Sequence, residues 1–560
     1  VLAAMTASCS SNNDLVNGGN GSGENESGVG YATLSINLPT TSGTRAADDP
    51  EFKPGTADEY DVKDVTLLIF KKAGTSEGEY TYVETADLGT MAPWIKDNDN
   101  NGITTAATIT AKLSSVDLNG DYYALAILNN KDKNNDLKVT TPTTPGQTYN
   151  DWNKANNADG EKFADNKNGF YMANAPQFST GTPTTLVKID KVYATKQAAE
   201  TSKATTIHVE RGLAKVTVAS LPTGLQATGK LYEKDKVDIT AWNLDVTNKS
   251  TFPIHSLTDL TTNFTTIWSA STDPAPSTGR FVDGSNTAFK RVYWGVDPNY
   301  STDYTTVTDC EKAFNVLPAN AVINGDATTP QYCLENTFDI NHMKQGQTTR
   351  VVFKAKYTPN GFTAGETFYK IGNNTDLWKK ANLEAQIKAK ALEALNETDA
   401  DKVTVTLDAT ENDIAGTAGT KILKEANVQH NGTNVSSTEI NAINEKLGLK
   451  AAAGTDPIVG IATYTSGESY YIARIKHFGD DLTPWNAGDD TYGTDNVKYL
   501  GRYGVLRNNW YELTVNSVSG PGTPDVPTIK PTDPDDENYK YISVSVKILD
   551  WAKRSQSVDL

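Results

Sequence analysis

Cysteine, histidine and clustered basic residues are all scarce in this chain of 560 residues. Three cysteines and five histidines are too few for a disulfide-dense scaffold or a protein built around metal sites. Lys and Arg number 51 against 69 Asp and Glu, which gives a net charge of −18 and an isoelectric point near 4.8. Because phosphate contacts need a basic surface, this balance argues against a nucleic-acid-binding protein. No run approaches the roughly 20 consecutive apolar residues that a membrane-spanning helix needs.

Catalytic and cofactor motifs are missing as well. No G-x-S-x-G, Walker loop or G-x-G-x-x-G opens a helix, and the histidines are scattered without i+4 pairs. The many acidic residues include no pair that the sequence marks as a glycosidase site. We therefore expect no enzymatic activity, no cofactor and no metal site.

Large aromatic side chains are plentiful, with 25 Tyr, 15 Phe and 9 Trp available to fill hydrophobic cores. Short alternating segments separated by Asn-, Asp- and Gly-rich turns fill two blocks, residues 46–219 and 220–520. This pattern predicts a mainly β protein with two β-sandwich domains.

Two helical segments interrupt the second block and predict small insertions in the second sandwich. The first lies near residues 377–396, after Asp376 as a candidate N-cap. The second lies near 437–447, where Ser436 and Glu439 form a capping box and Gly448 ends the helix.

The N-terminal end has the form of a lipid-anchored precursor. Residues 1–9 resemble the end of a bacterial lipoprotein signal, a short apolar stretch and small residues followed by Cys9, which we expect to be lipidated. A Gly-, Ser- and Asn-rich tether follows. Residues 31–38 then alternate, with Ala32, Leu34, Ile36 and Leu38 on one face, and predict a half-buried strand.

A single basic residue, Arg45, stands in the polar loop after this strand, followed by Ala46. A lone arginine in a loop is ordinarily a solvated side chain. Exposed loops with small neighbours are also where proteases cut, so Arg45 is a candidate cleavage site.

The C-terminal end combines a proline-rich segment, residues 521–538, with one more strand in residues 539–560. The prolines predict an extended, semi-rigid spacer. In the strand, Ile542, Val544, Val546 and Ile548 alternate with polar residues, and Trp551 follows. This strand either folds back on its own domain or is donated to another molecule by β-augmentation.

Cys310 and Cys333 remain as an even pair once Cys9 is assigned to lipid. In an exported protein they form either a disulfide or two buried free thiols, and the spacing leaves both open.

These features occur together in one known family. Cys9, Arg45 and four internal segments occur in an order that resembles the fimbrillins, the shaft subunits of type V pili in Bacteroidia, of the short, minor-fimbria major-subunit type. The four segments are Val209–Val216, Tyr332–Thr337, Tyr470–His477 and Gly504–Asn516.

This resemblance implies two transthyretin-like sandwiches, export to the outer membrane as a lipoprotein, and maturation by an arginine-specific protease. Cleavage between Arg45 and Ala46 would remove Cys9, the rest of the propeptide 10–45 and its strand. The strand in 539–560 would then fill the vacated groove of the next copy. Accessory tip and anchor subunits would be further partners of the head-to-tail polymer.

Two other functions stay open at this stage. A fimbrial tip or accessory adhesin needs the groove but need not donate a strand. A surface glycan-binding lipoprotein would use exposed tryptophans such as Trp94, Trp485 or Trp551 to stack on sugars, although core positions are the commoner use of this residue.

Overall fold

A computed structural model shows how the two blocks are built. It describes residues 28–39, 55–89, 95–96, 103–130, 139–155, 158–159, 163, 169–178, 183–257, 281, 290–407, 419–454, 458–479, 483, 486, 498–536 and 542–549. The prediction of a mainly β protein is confirmed.

Within the described residues, the N-terminal unit contains eleven strands and three short helices. Its strands are β1 (Gly30–Pro39), β2 (Val65–Lys71), β3 (Thr81–Thr85), β4 (Ile95–Lys96), β5 (Ile103–Leu113), β6 (Tyr122–Leu128), β7 (Ala158–Asp159), β8 (Met172–Asn174), β9 (Gln177–Phe178), β10 (Val187–Lys188) and β11 (Thr205–Arg211). Its helices are α1 (Ala57–Tyr60), α2 (Tyr149–Ala155) and α3 (Lys196–Glu200), with a 3-10 turn at Glu77–Glu79.

Nine of these strands form one sheet in the order β3-β2-β6-β8-β11-β1-β5-β4, with β10 on β6. Strand β11 links its two halves, because residues 205–208 pair with β1 and residues 209–211 pair with β8. Both halves share one hydrophobic core, which includes Leu34 and Ile36 of β1 and Leu68 and Phe70 of β2. The sheet therefore folds over itself as a sandwich.

The C-terminal unit contains the other strands that the structure describes. They are β12 (Leu213–Val218), β13 (Leu225–Gln226), β14 (Lys236–Asp245), β15 (Thr247–Asn248), β16 (Ser250–Thr251), β17 (Lys290–Arg291), β18 (Phe314–Asn315), β19 (Gln331–Leu334), β20 (Arg350–Thr358), β21 (Phe368–Ile371), β22 (Val403–Val405), β23 (Thr420–Lys421), β24 (Val428–His430), β25 (Thr433–Asn434), β26 (Ile461–Tyr464), β27 (Glu468–Arg474), β28 (Trp510–Val518) and β29 (Ile542–Leu549). Its helices are α4 (Val307–Ala313), α5 (Lys380–Leu395) and α6 (Ser437–Lys446), with 3-10 turns at Ala400–Lys402, Glu425–Asn427 and Thr465–Gly467.

Two four-stranded sheets form the C-terminal sandwich, in the orders β19-β12-β28-β29 and β13-β14-β20-β27. Val216 and Leu513 from the first sheet pack with Trp242, Phe353 and Tyr471 from the second in one buried cluster. Because β12 already belongs to this sandwich, the chain changes unit at Gly212, between β11 and β12. This point precedes the boundary at 219 that the sequence predicts.

The helical insertion lies between β20 and β27, two strands that pair with each other. Leu383 and Ile387 of α5 and Ile440 and Ile443 of α6 form its separate core with the strands around them. The capping box at Ser436 is present as predicted. Helix α5 begins at Lys380, later than expected, because the backbone at Trp378 pairs with Tyr369 and is extended there.

A buried polar junction joins the two units. The Glu59 carboxylate of α1 accepts a hydrogen bond from the Tyr332 hydroxyl at 2.6 Å and lies 2.6 Å from the Lys215 ammonium. Arg211 donates to the Glu59 carbonyl at 2.7 Å. Burial opposes ionisation of Glu59, but the charge and hydrogen bond of Lys215, together with the hydrogen bonds from Tyr332 and the Thr56 amide, lower the pKa of the carboxyl.

The two central cysteines are free thiols, so the disulfide that the sequence left open is not formed. Cys310 packs beside Val246 and Phe314, whereas Cys333 lies in the core of the C-terminal sandwich. Burial raises the pKa of Cys310 to about 11 and that of Cys333 to about 12. Both are therefore protonated core residues.

Candidate functional site: the two terminal strands

The predicted site residues divide into those that the structure describes and those that it does not. Cys9, Arg45 and Ala46 lie outside the described residues. The same holds for Trp94, Trp485 and Trp551, the three tryptophans considered for sugar stacking. The two terminal strands are β1 and β29. Along the described part of the chain, no helix has the length and apolar run needed to span a membrane.

Strand β1 lies in the middle of its sheet. It pairs in parallel with β11, where Leu34 stands opposite Thr205, and antiparallel with β5, where Leu34 stands opposite Ile109. The predicted apolar face is confirmed, because Ala32, Leu34, Ile36 and Leu38 are each at most 1% exposed. Removing β1 would open a groove between β11 and β5 and expose the centre of the core.

The opposite face of β1 is also covered, which the alternation did not predict. The Thr33 hydroxyl donates to the Ala199 carbonyl of α3 at 2.8 Å and lies 2.9 Å from the Thr110 hydroxyl of β5. Helix α3 is positioned by its N-cap Thr195, which accepts from the Ala198 amide. The Thr195 cap ahead of an Ala-containing turn is the sequence signal for this helix. It does not indicate which strand the helix covers.

Strand β29 lies at an edge. It pairs antiparallel with β28 and ends its sheet within the described residues. Val544, Val546 and Ile548 stand in register with Val515, Leu513 and Tyr511, three core residues of β28. The terminal strand therefore folds back on its own sandwich in this chain.

The proline-rich segment between β28 and β29 does not extend away as the predicted spacer. It packs along the C-terminal sandwich, with Val526 and Ile529 buried. Thr523 pairs with Tyr470 of β27, and Pro534 pairs with Lys344. We call residues 519–536 the strap. The strap stays on the sandwich because its apolar side chains pack against residues that are distant in sequence. The composition of the segment alone does not predict such contacts.

Two buried ion pairs fix the end of the strap, and we call them the clasp. Arg474 lies 3.2 Å from Asp535, and Arg502 lies 2.9 Å from Asp536. All four side chains are at most 5% exposed. The Tyr503 hydroxyl also donates to Asp536 at 2.7 Å. Such pairs are costly to break on one side only, because the remaining charge stays buried.

Comparison with known proteins gives one family match. Residues 462–557 match the family described as major fimbrial subunit protein type IV, fimbrillin, C-terminal. The matched region includes β27, β28, the strap and β29. This part of the chain is therefore similar to the C-terminal region of fimbrillins.

Three solved structures of Parabacteroides distasonis proteins are similar to the chain at low identity. Two are named for cell adhesion: one is 10% identical with a TM-score of 0.37 and covers 94% of this chain and 98% of that one. The other is 11% identical with a TM-score of 0.34, covering 93% and 99%. A fimbrial assembly protein is 12% identical with a TM-score of 0.24, covering 62% and 93%. No curated protein matches the chain.

Proposed function

We propose that the protein is a structural, non-enzymatic shaft subunit of a cell-surface fimbria of the type V class. Its precursor is exported as a lipoprotein on Cys9 and is cut between Arg45 and Ala46 by an arginine-specific protease. The cut subunits polymerise when the C-terminal strand of one copy replaces β1 of the next. The fimbria also contains tip and anchor subunits and supports adhesion.

One observation carries this proposal: the strand that precedes the candidate cleavage site is a central strand of its sandwich, and its apolar face is fully buried. Burial of Leu34, Ile36 and Leu38 contributes ~1.5–3 kcal/mol each, and the Ala32 methyl adds about 0.8 kcal/mol, which gives roughly 5–10 kcal/mol together. A sandwich that loses β1 gains an open groove with unpaired backbone on both sides. Such a groove requires a replacement strand.

The junction supports a cut at Arg45 because the chain beyond the cut stays anchored. Glu59 is fixed by Lys215, Tyr332 and Arg211. Loss of residues 1–45 therefore leaves the contact between the two units in place. The net charge of −18 opposes association of uncut precursors.

The strap shortens the connector between subunits. Because its contacts continue to Asp536, only six Cα–Cα steps lead to Ile542, with a reach of at most about 20 Å. We therefore assign subunit spacing to residues 537–541 and not to the whole proline-rich segment.

The test is polymerisation of purified precursor after treatment with an arginine-specific protease, followed by electron microscopy. We expect fibres from the wild type, none from Arg45→Ala, and monomers from a chain that lacks residues 539–560. Ala46→Ser is the matched control and should still be cut and form fibres. Fibres of normal length from the deletion variant would contradict strand donation and favour another role, such as a tip adhesin.

A further inference from the structure

We propose that β29 enters the groove of the next subunit in a single register, with Ser543 at the position of Thr33 and Ile548 at the position of Leu38. This inference rests on the proposed strand exchange and specifies which contacts select the incoming strand. It is carried by the contacts of β1 in its own sandwich.

The two strands match position by position in this register. Residues 31–38 read Tyr-Ala-Thr-Leu-Ser-Ile-Asn-Leu, and residues 541–548 read Tyr-Ile-Ser-Val-Ser-Val-Lys-Ile. Tyrosine, hydroxyl and apolar positions coincide. The four apolar side chains contain 13 carbons in β1 and 14 in the donor, so the volume that fills the groove is nearly conserved.

The hydroxyl slot beneath α3 gives this register its chemical specificity. Thr33 is only 7% exposed, and its hydroxyl reaches both the Ala199 carbonyl and the Thr110 hydroxyl. Without β1 these two groups lose that partner. Ser543 supplies a hydroxyl at this position, whereas an apolar residue there would lose the hydrogen bonds to both groups. The Ala199 carbonyl would keep those that it accepts from the Ser202 amide and hydroxyl, so the cost is that of the lost hydrogen bonds alone.

Moving the donor strand by two residues from the proposed register places a charged side chain in the core. In one direction Asp550 takes the position of Leu38, which is fully buried. In the other direction Lys540 takes the position of Ala32, which is 1% exposed. An unpaired buried charge costs far more than the apolar contacts that such a shift preserves.

Shifts by one residue and reversal of the strand also fail. A one-residue shift turns Ser543, Ser545 and Lys547 toward the core, because successive side chains alternate between faces. Lys547 takes a similarly buried position in either direction, Asn37 (8% exposed) in the proposed register and Thr33 (7% exposed) on reversal with the apolar face inward, so its burial does not separate them. The hydroxyl slot does, because only the proposed register brings a serine hydroxyl to the Ala199 carbonyl and the Thr110 hydroxyl. The donor therefore runs in the direction of β1, parallel to β11.

Cross-linking between subunits tests the register directly. In the precursor Ser35 stands opposite Thr108 of β5, so the proposed register places Ser545 of one subunit opposite Thr108 of the next. Ser545→Cys with Thr108→Cys, cut and polymerised, should give a ladder of covalent oligomers with a short thiol-specific cross-linker. Residues directly opposite on adjacent strands have Cβ atoms about 4.5–5.5 Å apart.

The matched control is Ser543→Cys with Thr108→Cys, which forms cross-links only if the donor strand is shifted by two residues. The chain without added cysteines shows how much cross-linking comes from Cys310 and Cys333. A ladder from the control pair alone would overturn the register and leave strand exchange intact. Fibres without a ladder from either pair would overturn the register as well. Absence of fibres from the cut wild type would overturn both the register and the proposed function.

A second measurement probes the hydroxyl slot. Ser543→Val should raise the protein concentration needed for polymerisation about tenfold, the effect of one lost hydrogen bond. Ser545→Val changes a position equivalent to the half-buried Ser35 and should leave the protein concentration needed for polymerisation nearly unchanged. Equal effects of the two variants would contradict the slot.

Discussion

β1 and β29 each carry four apolar residues at alternating positions, yet they differ in how many neighbours hold them. β1 is paired on both sides, and its apolar residues are fully buried. β29 is paired along β28 and ends its sheet. An edge strand can peel away while the rest of its sheet stays paired, whereas removal of a central strand divides the sheet.

This difference explains why a trigger is needed at one end only. In the proposed exchange, the C-terminal strand would leave its own sandwich and replace one ladder of hydrogen bonds with two in the next subunit. The N-terminal strand would stay in its groove for as long as it is covalently joined to the subunit. We infer that cleavage after β1 is the step that allows replacement, while the strap and clasp limit the released C-terminal part to β29.

The largest expected effect comes from deleting residues 1–45. This chain lacks β1, and the loss of roughly 5–10 kcal/mol is comparable with the usual stability of a domain, about 5–15 kcal/mol. We expect its N-terminal sandwich to melt far below that of the full chain. A synthetic peptide of residues 539–550 should restore the melting temperature in calorimetry.

A peptide that carries Val546→Asp is the control and should restore nothing, because it places a carboxylate at a core position. A chain without residues 539–560 provides the opposite comparison and should keep the N-terminal transition of the full chain. If the N-terminal sandwich melted at the same temperature in the two deletion variants, the distinction between a central and an edge strand would not hold.

A smaller effect is expected from opening the clasp with Asp536→Asn. Arg502 is 2% exposed and would lose its carboxylate partner, a change that costs roughly 3–5 kcal/mol for a buried pair. Faster amide hydrogen exchange across residues 519–536 would report release of the strap. The longer connector should also make the spacing of subunits in fibres less regular.

Asp533→Asn is the matched control within the strap. Asp533 pairs with Lys530 at 3.1 Å, and these side chains are 33% and 62% exposed, so the pair contributes at most about 1 kcal/mol. If the strap amides of both variants exchange hydrogen at the same rate, the clasp does not hold the strap. The segment released for donation is then longer than β29 alone.

The two strands were predictable from the sequence because each has a period of two over at least seven residues. The capping box of α6 was predictable for the same reason, since it depends on neighbours in sequence. A resemblance was needed to connect β1 and β29 with polymerisation.

The strap and the cover of β1 were not predictable, because they depend on distant residues. Proline content indicated an extended spacer, but the segment packs on the sandwich, and Arg474 and Arg502, which fix its end, lie outside it. Alternation likewise assigned Thr33 to an exposed face, whereas α3 buries it from more than 160 residues away. The start of α5 was missed because Trp378 pairs with Tyr369.

The smallest expected effect is a pH dependence of the strap, and it sharpens the comparison because it acts on the segment that leads to β29. Burial raises the pKa of Asp525 to about 7, and one of its carboxylate oxygens has no hydrogen-bond partner. The folded state therefore binds this proton more tightly than the unfolded chain, whose aspartates titrate near 3.9. The resulting stabilisation is complete below about pH 4 and is lost as the pH rises through about 7. Asp525→Asn cannot ionise, so its strap should exchange amide hydrogens more slowly than the wild type at pH 8, with no such advantage at pH 4. A constant difference between variant and wild type across this range would show that Asp525 does not tune the strap.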